Sequence, residues 1–159
     1  MHILKIILFL ICTQVLFAGR MEINADKVVA GDKEVQFVGN AKLSIDNSWL
    51  HADRVNVYLD ENNETRMYEA IGGFVTFEFK HEKHSFKGRA HKVTYDMYSS
   101  RYILSGKAVI DDNNFSIKRH LAGDKIIIDM FTGRVKVHGG PVTNKLFIKM
   151  YDFGRAFGL

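Results

Sequence analysis

The chain has one cysteine, one proline and one tryptophan in 159 residues. The cysteine, Cys12, lies in an apolar N-terminal run. Once that run is removed, no disulfide, cysteine-ligated metal or cysteine nucleophile is available. A chain outside the cytoplasm without disulfides fits a bacterial periplasm and argues against a disulfide-stapled toxin or growth factor. The proline, Pro141, follows the last strand-like repeat, where it breaks no ladder. Catalytic signatures are also missing: there is no GxSxG, no P-loop and no GxGxxG. His81-Glu82-Lys83-His84 falls one residue short of HExxH, which needs histidines at i and i+4 on a helix. Its flanks, FEFK and FKGR, are strand-like, so a polar hairpin tip accounts for it. His51, His91, His120 and His138 are scattered. The expectation is no enzyme, no cofactor and no metal site. The formal net charge of +4 is mild and the basic residues form no run, which excludes a nucleic-acid arm.

Residues 1–18, MHILKIILFLICTQVLFA, join an early Lys5 to an apolar run that ends at Ala18-Gly19. This reads as a secretory signal peptide, too short for a span of about 20 apolar residues. An uncleaved anchor is the alternative. A lipoprotein anchor on Cys12 lacks the small residue expected before it, since Ile11 stands there. The rest divides into a domain at 19–141 and a tail at 142–159, VTNKLFIKMYDFGRAFGL, whose apolar content suits capping an open end or contacting a partner.

Gly39, Gly72, Gly106 and Gly139 recur at spacings of 33, 34 and 33, each inside a strand-like segment. A second ladder runs between them: Ala25-Asp26-Lys27, Ala52-Asp53-Arg54, Ala90-His91-Lys92 and Gly123-Asp124-Lys125. A fixed period of this length signals stacked supersecondary units. Apolar and polar residues alternate at period two, as in Val35, Phe37, Leu43 and Ile45, or Tyr102, Leu104, Ala108 and Ile110. Turn signals at 30–32, 46–47, 60–63, 111–114 and 132–133 separate the strands, so the expected fold class is all-β and antiparallel. A glycine weakens a strand interior and needs a reason. A bend repeated at one place in each unit would fold a long sheet over on itself. The recurring acids then take a structural role beside the bend, such as a hydrogen bond to a turn.

MEINADKVV, VQFVGNAKLSID, LHADRVNVYL, YEAIGGFVTFEF, ILSGKAVI and GDKIIID, in that order, resemble the OstA-like family over residues 21–140. The resemblance implies a β-jellyroll of stacked antiparallel strands, V-shaped in section, with an apolar groove for the lipid A acyl chains of lipopolysaccharide. It implies a periplasmic protein stacked end to end between an LptC-like component anchored in the inner membrane and an LptD-like component in the outer membrane. It carries no catalytic residues. The alternatives are a membrane-anchored LptC-like component of the same pathway and a ligand-free structural β protein. The residues expected on the lipid-facing interior are Phe37, Leu43, Ile45, Val57, Val75, Phe77, Phe79, Phe86, Tyr95, Leu104, Ile110, Ile126 and Ile128. Ile23 marks an edge, MEINADKVV, with few charges or prolines to block pairing, and Val137 a short one, Val135-Lys136-Val137-His138, with Pro141 just beyond it, so head-to-tail self-association is expected through both.

Overall fold

The structure is a computed structural model that describes residues 21–81, 84–113, 117–140 and 143–148. The leader at 1–18, the tip Glu82-Lys83, Pro141 and residues 149–159 of the tail lie outside the described residues. The chain forms β1 (Met21–Asn24), β2 (Lys27–Ala30), β3 (Glu34–Ile45), β4 (Ser48–Leu59), β5 (Thr65–His81), β6 (His84–Asp96), β7 (Arg101–Asn113), β8 (Ile117–Asp129), β9 (Val135–His138) and β10 (Thr143–Ile148). All belong to one antiparallel sheet in chain order, β1-β3-β4-β5-β6-β7-β8-β10. β1 and β2 share one edge: β1 pairs residues 42–45 of β3, and β2 pairs residues 35–38. β9 and β10 share the other edge in the same way, along 125–128 and 117–122 of β8.

Each long strand is broken at its middle, and the breaks lie side by side. Register shifts fall at 38–41 of β3, 51–54 of β4, 71–75 of β5, 89–92 of β6 and 105–108 of β7. They divide the sheet into two leaves. The first holds β1, β10 and residues 41–45, 48–52, 75–81, 84–90, 108–113 and 117–123. The second holds β2, β9 and residues 34–38, 54–59, 65–71, 92–96, 101–105 and 125–129. The leaves face each other: Phe79 of the first stacks on Tyr102 of the second with centroids 4.0 Å apart, and the Tyr68 hydroxyl of the second donates to Met21 Sδ of the first at 3.3 Å. This is the folded-over sheet that the glycine period predicts, and it gives the all-β jellyroll class.

The two sequence ladders meet along the bend. Gly39 and Gly106 take the left-handed region, φ +84° and +79°, followed by Asn40 at +46° and Lys107 at +45°. That backbone is costly for any residue with a Cβ and is routine for glycine. A Cβ on Gly39 would lie 2.7 Å from Asp26 Oδ2, and one on Gly106 would lie 2.9 Å from the His91 Cβ. The acids bond the bend: Asp53 Oδ2 accepts from the Gly73 N–H at 3.1 Å, and Asp26 Oδ2 from Asn40 Nδ2 at 3.2 Å. Small residues line the crease from within, with Ala41, Ala90 and Ala108 fully buried.

The core lies between the leaves. Phe77, Leu104, Ile110, Ile126, Ile128, Val55 and Val75 are fully buried. One strand runs further than expected: Asp111, Asp112 and Asn113, read as turn residues, continue β7, paired to His120, Arg119 and Lys118 of β8. The alternation set by Leu104 and Ile110 carries on through Asp112, so that carboxylate points inward and is tolerated because Arg119 Nε donates to it at 2.8 Å. The sheet also runs beyond residue 141, because the backbone of β10 pairs antiparallel with β8 from Thr143↔Ala122 to Ile148↔Ile117.

Candidate functional site

The two leaves do not close fully. A cavity of about 370 Å³ opens between them on the side away from the crease. Its mouth lies between Asp46, Ser48 and Lys80 on the rim of the first leaf and Ser100, Met130 and Phe131 on the rim of the second. Its walls are Leu43 and Ile45 from β3, Trp49, Leu50 and Val55 from β4, Tyr68, Ala70 and Phe79 from β5, Val93 and Tyr95 from β6, and Tyr102 from β7. The volume sits at the low end of the roughly 300–1,000 Å³ range for ligand sites, and the mainly apolar wall with a few polar rim groups is what such sites share. Phe131 stands at the mouth with 91% of its surface exposed. Its turn is held by Asp129, whose Oδ1 accepts from the N–H groups of Phe131 at 3.0 Å and Thr132 at 3.1 Å.

An aromatic column bounds the cavity. Phe77 stacks on Phe79 (4.6 Å), Phe79 on Tyr102 (4.0 Å), and Tyr102 tilts against Tyr95 (4.5 Å). Burial pushes the Tyr102 and Tyr68 hydroxyls above their ordinary value, so both stay neutral and the wall carries no charge from them. Beyond the column lie Leu104, Ile110 and Ile126, fully buried and outside the cavity wall. The inner face there carries one ion pair, in which Asp112, 1% exposed, takes both Arg119 bonds on Oδ2 and leaves Oδ1 buried without a partner. Among the described residues no group of His, Asp and Glu gathers as metal ligands would.

The thirteen interior residues named from the sequence separate into two groups. Leu43, Ile45, Phe79 and Tyr95 line the cavity. Val57, Val75, Phe77, Phe86, Leu104, Ile110, Ile126 and Ile128 belong to the closed core, and half-buried Phe37 packs against it. Of the edge residues, Ile23 lies on β1 opposite Leu43 and Val137 on β9 opposite Ile126; both are half-buried and packed on the core. Sequence reasoning missed Trp49, Leu50, Val55, Tyr68, Ala70, Val93 and Tyr102 as cavity wall. Their signal was present for Val55 and Tyr102, which alternate in phase with Val57 and Leu104.

A family model described as LptA/(LptD N-terminal domain) LPS transport protein matches residues 22–134. The chain belongs to this family. Among solved structures it is similar to LptH, described as the LptA homologous periplasmic component of the conserved lipopolysaccharide transport device from Pseudomonas aeruginosa. The TM-score is 0.69 at 16% identity, over 82% of this chain and 96% of that one. At that identity the likeness shows a shared fold. No curated protein matches the sequence. A site with an apolar wall suits membership of this family.

Proposed function

We propose that this protein binds lipopolysaccharide in the periplasm, shields its lipid A acyl chains between the two leaves, and bridges the inner- and outer-membrane parts of the transport machinery. The observation that carries this reading is the apolar cavity between the leaves, in a chain of the lipopolysaccharide-transport family. Exposing an acyl chain to water costs about 0.8 kcal/mol per CH₂, or roughly 10 kcal/mol for a chain of a dozen carbons. A groove of similar apolarity removes most of that barrier without a deep trap. It supplies no drive, so the protein acts as a passive conduit, and direction comes from elsewhere. No bond is made or broken, in keeping with a transport role and no enzyme activity.

The edges support the bridging part. Among the described residues, β1 and β2 at one end and β9 and β10 at the other each pair on one side only. Val28 and Val29 of β2 are 50% and 42% exposed, an apolar stretch whose outer backbone edge has no strand beside it among the described residues. Strand addition by another copy, or by LptC-like and LptD-like partners of similar fold, continues the sheet and aligns the grooves. Such a contact is head-to-tail and need not close. In this reading residues 1–18 are a removed signal peptide, 19–141 form the groove-bearing domain, and the segment 142–159 covers or contacts the last edge.

Site-directed photocrosslinkers test the function. Placed at Leu43, Phe79 or Tyr95 they should capture lipopolysaccharide; at the outward positions Thr76 and Lys107 they should not. Equal capture from both faces would remove the groove from the mechanism. An intact mass matching the chain from Gly19 in the periplasmic fraction supports the soluble component, whereas a full-length membrane-bound product would support the LptC-like alternative.

A further inference from the structure

The interior is divided, and the divider is a pair of rings from opposite leaves. Phe79 and Tyr102 stack at 4.0 Å with their planes 15° apart, and both face the cavity. Behind them Phe77, stacked on Phe79 at 4.6 Å, and Leu104, Ile110 and Ile126 are fully buried and take no part in the cavity wall. The cavity therefore ends at the stack. On its near side the wall comes largely from β3 to β6 together with the rim turns; on its far side the shut interior belongs mainly to β7 and β8. A volume of about 370 Å³ suits one linear chain and is too small for several side by side.

We propose that this cavity is a single-chain acyl site, and that Phe79 and Tyr102 are a movable partition which a multiply acylated ligand must part to reach the β7–β8 half of the interior. The proposal rests on the lipid-binding reading above and names which part of the ligand the site takes first. Parting the rings exposes apolar faces that incoming methylene groups cover again, so the cost falls on the stacking preference. For an aromatic pair that preference is worth about 2- to 12-fold in an equilibrium constant. This resists idle opening and is small beside the affinity that several buried chains supply. One chain occupies the cavity first; further chains follow only after the rings separate.

The test uses the full chain purified without detergent, with two probes: dodecanoate carrying a terminal photoreactive group, and purified lipopolysaccharide. Photoreactive dodecanoate should bind one to one and label the segments around Leu43 and Tyr95, leaving Leu104 and Ile126 unlabelled. Tyr102→Leu should extend labelling to Leu104 and tighten lipopolysaccharide about 2- to 12-fold. Tyr102→Phe keeps the ring and should match the parent. Labelling of Leu104 or Ile126 in the parent protein overturns the partition whether or not the variants fold. So does a folded Tyr102→Leu protein that changes neither the labelling map nor lipopolysaccharide affinity. Lipopolysaccharide binding without dodecanoate binding overturns the single-chain site and leaves the proposed function standing; binding of neither removes that function as well.

Discussion

Gly106→Ala tests the crease most directly. The substitution places a Cβ on a residue at φ +79°, where a left-handed alanine costs about 1–2 kcal/mol. The new atom would lie 2.9 Å from the His91 Cβ and 3.1 Å from its Cγ. A Cβ is fixed to its own strand, so no rotation of the imidazole relieves the contact and β6 must move relative to β7. Overpacking of this kind costs about 1–3 kcal/mol. The stiffer unfolded chain returns about 0.4–1 kcal/mol. The expected net loss is about 2–3 kcal/mol, which for a chain of this size lowers Tm by about 5–10 °C. Two other glycines separate the contributions. Gly133 has φ +70° with nothing within 4 Å, so Gly133→Ala carries the backbone cost alone, about 1 kcal/mol or less after the entropy offset. Gly73 has neither a left-handed φ nor a neighbour within 4 Å, so Gly73→Ala should be neutral or stabilising by a few tenths of a kcal/mol. Urea unfolding followed by circular dichroism ranks the three. Equal losses for Gly106→Ala and Gly133→Ala would show that the approach of His91 contributes nothing. A neutral Gly106→Ala would refute the account of the crease altogether.

Four further outcomes follow from the packing and charges. Phe77→Ala, at a fully buried site, should cost about 3–5 kcal/mol in urea unfolding. Arg119→Met strands the buried Asp112 carboxylate and should cost about 3–5 kcal/mol, while adding Asp112→Leu should restore most of it; a single variant as stable as its parent would show that the pair does not hold that carboxylate in place. Backbone N–H bonds, that of Thr132 foremost, hold the Asp129 carboxyl below its ordinary 3.8, so its contribution is complete well above that value and fades as pH falls through the lower folded one; Asp129→Asn should therefore destabilise more at pH 7 than in acid. Val28→Glu, on the exposed edge strand, should weaken concentration-dependent self-association in sedimentation without altering Tm, a cleaner test than a charge at half-buried Ile23 or Val137, where the core is also disturbed.

The crease was legible in the sequence because it is written twice, as glycines on the bulged strands and as Asp or His on their neighbours. Which strands keep their phase was harder to read. In β3 and β7 the inward residues hold one parity throughout: Phe37 and Leu43 are odd, Tyr102 and Ile110 even. In β4 the parity slips at Asp53, so Leu50 and Ala52 face inward as even residues and Val55 and Val57 as odd ones. The same slip separates Tyr68 and Ala70 from Val75 and Phe77 in β5, and Phe86 and Ala90 from Val93 and Tyr95 in β6. A reader holding one phase along such a strand loses half its inner face, which is how Leu50 and Tyr68 were missed. The division of the interior into an open and a shut half was not legible. It depends on Phe79 meeting Tyr102, two residues brought together only when the leaves fold face to face. Asp112 was misread for a simpler reason, since a run of Asp and Asn looks like a turn unless the cation across the sheet is known.

Because the crease repeats with the same parts, the fold is a measuring rod. Each period of 33 or 34 residues contributes two strands, and neighbouring strands stand about 4.8 Å apart, so one period adds roughly 10 Å along the stack. Another glycine–acid period spliced between β6 and β7 brings its own bend and its own inner residues, and asks nothing new of the ends. The length of such a stack is thus encoded as a count of repeats, and a different length is reached by changing the count.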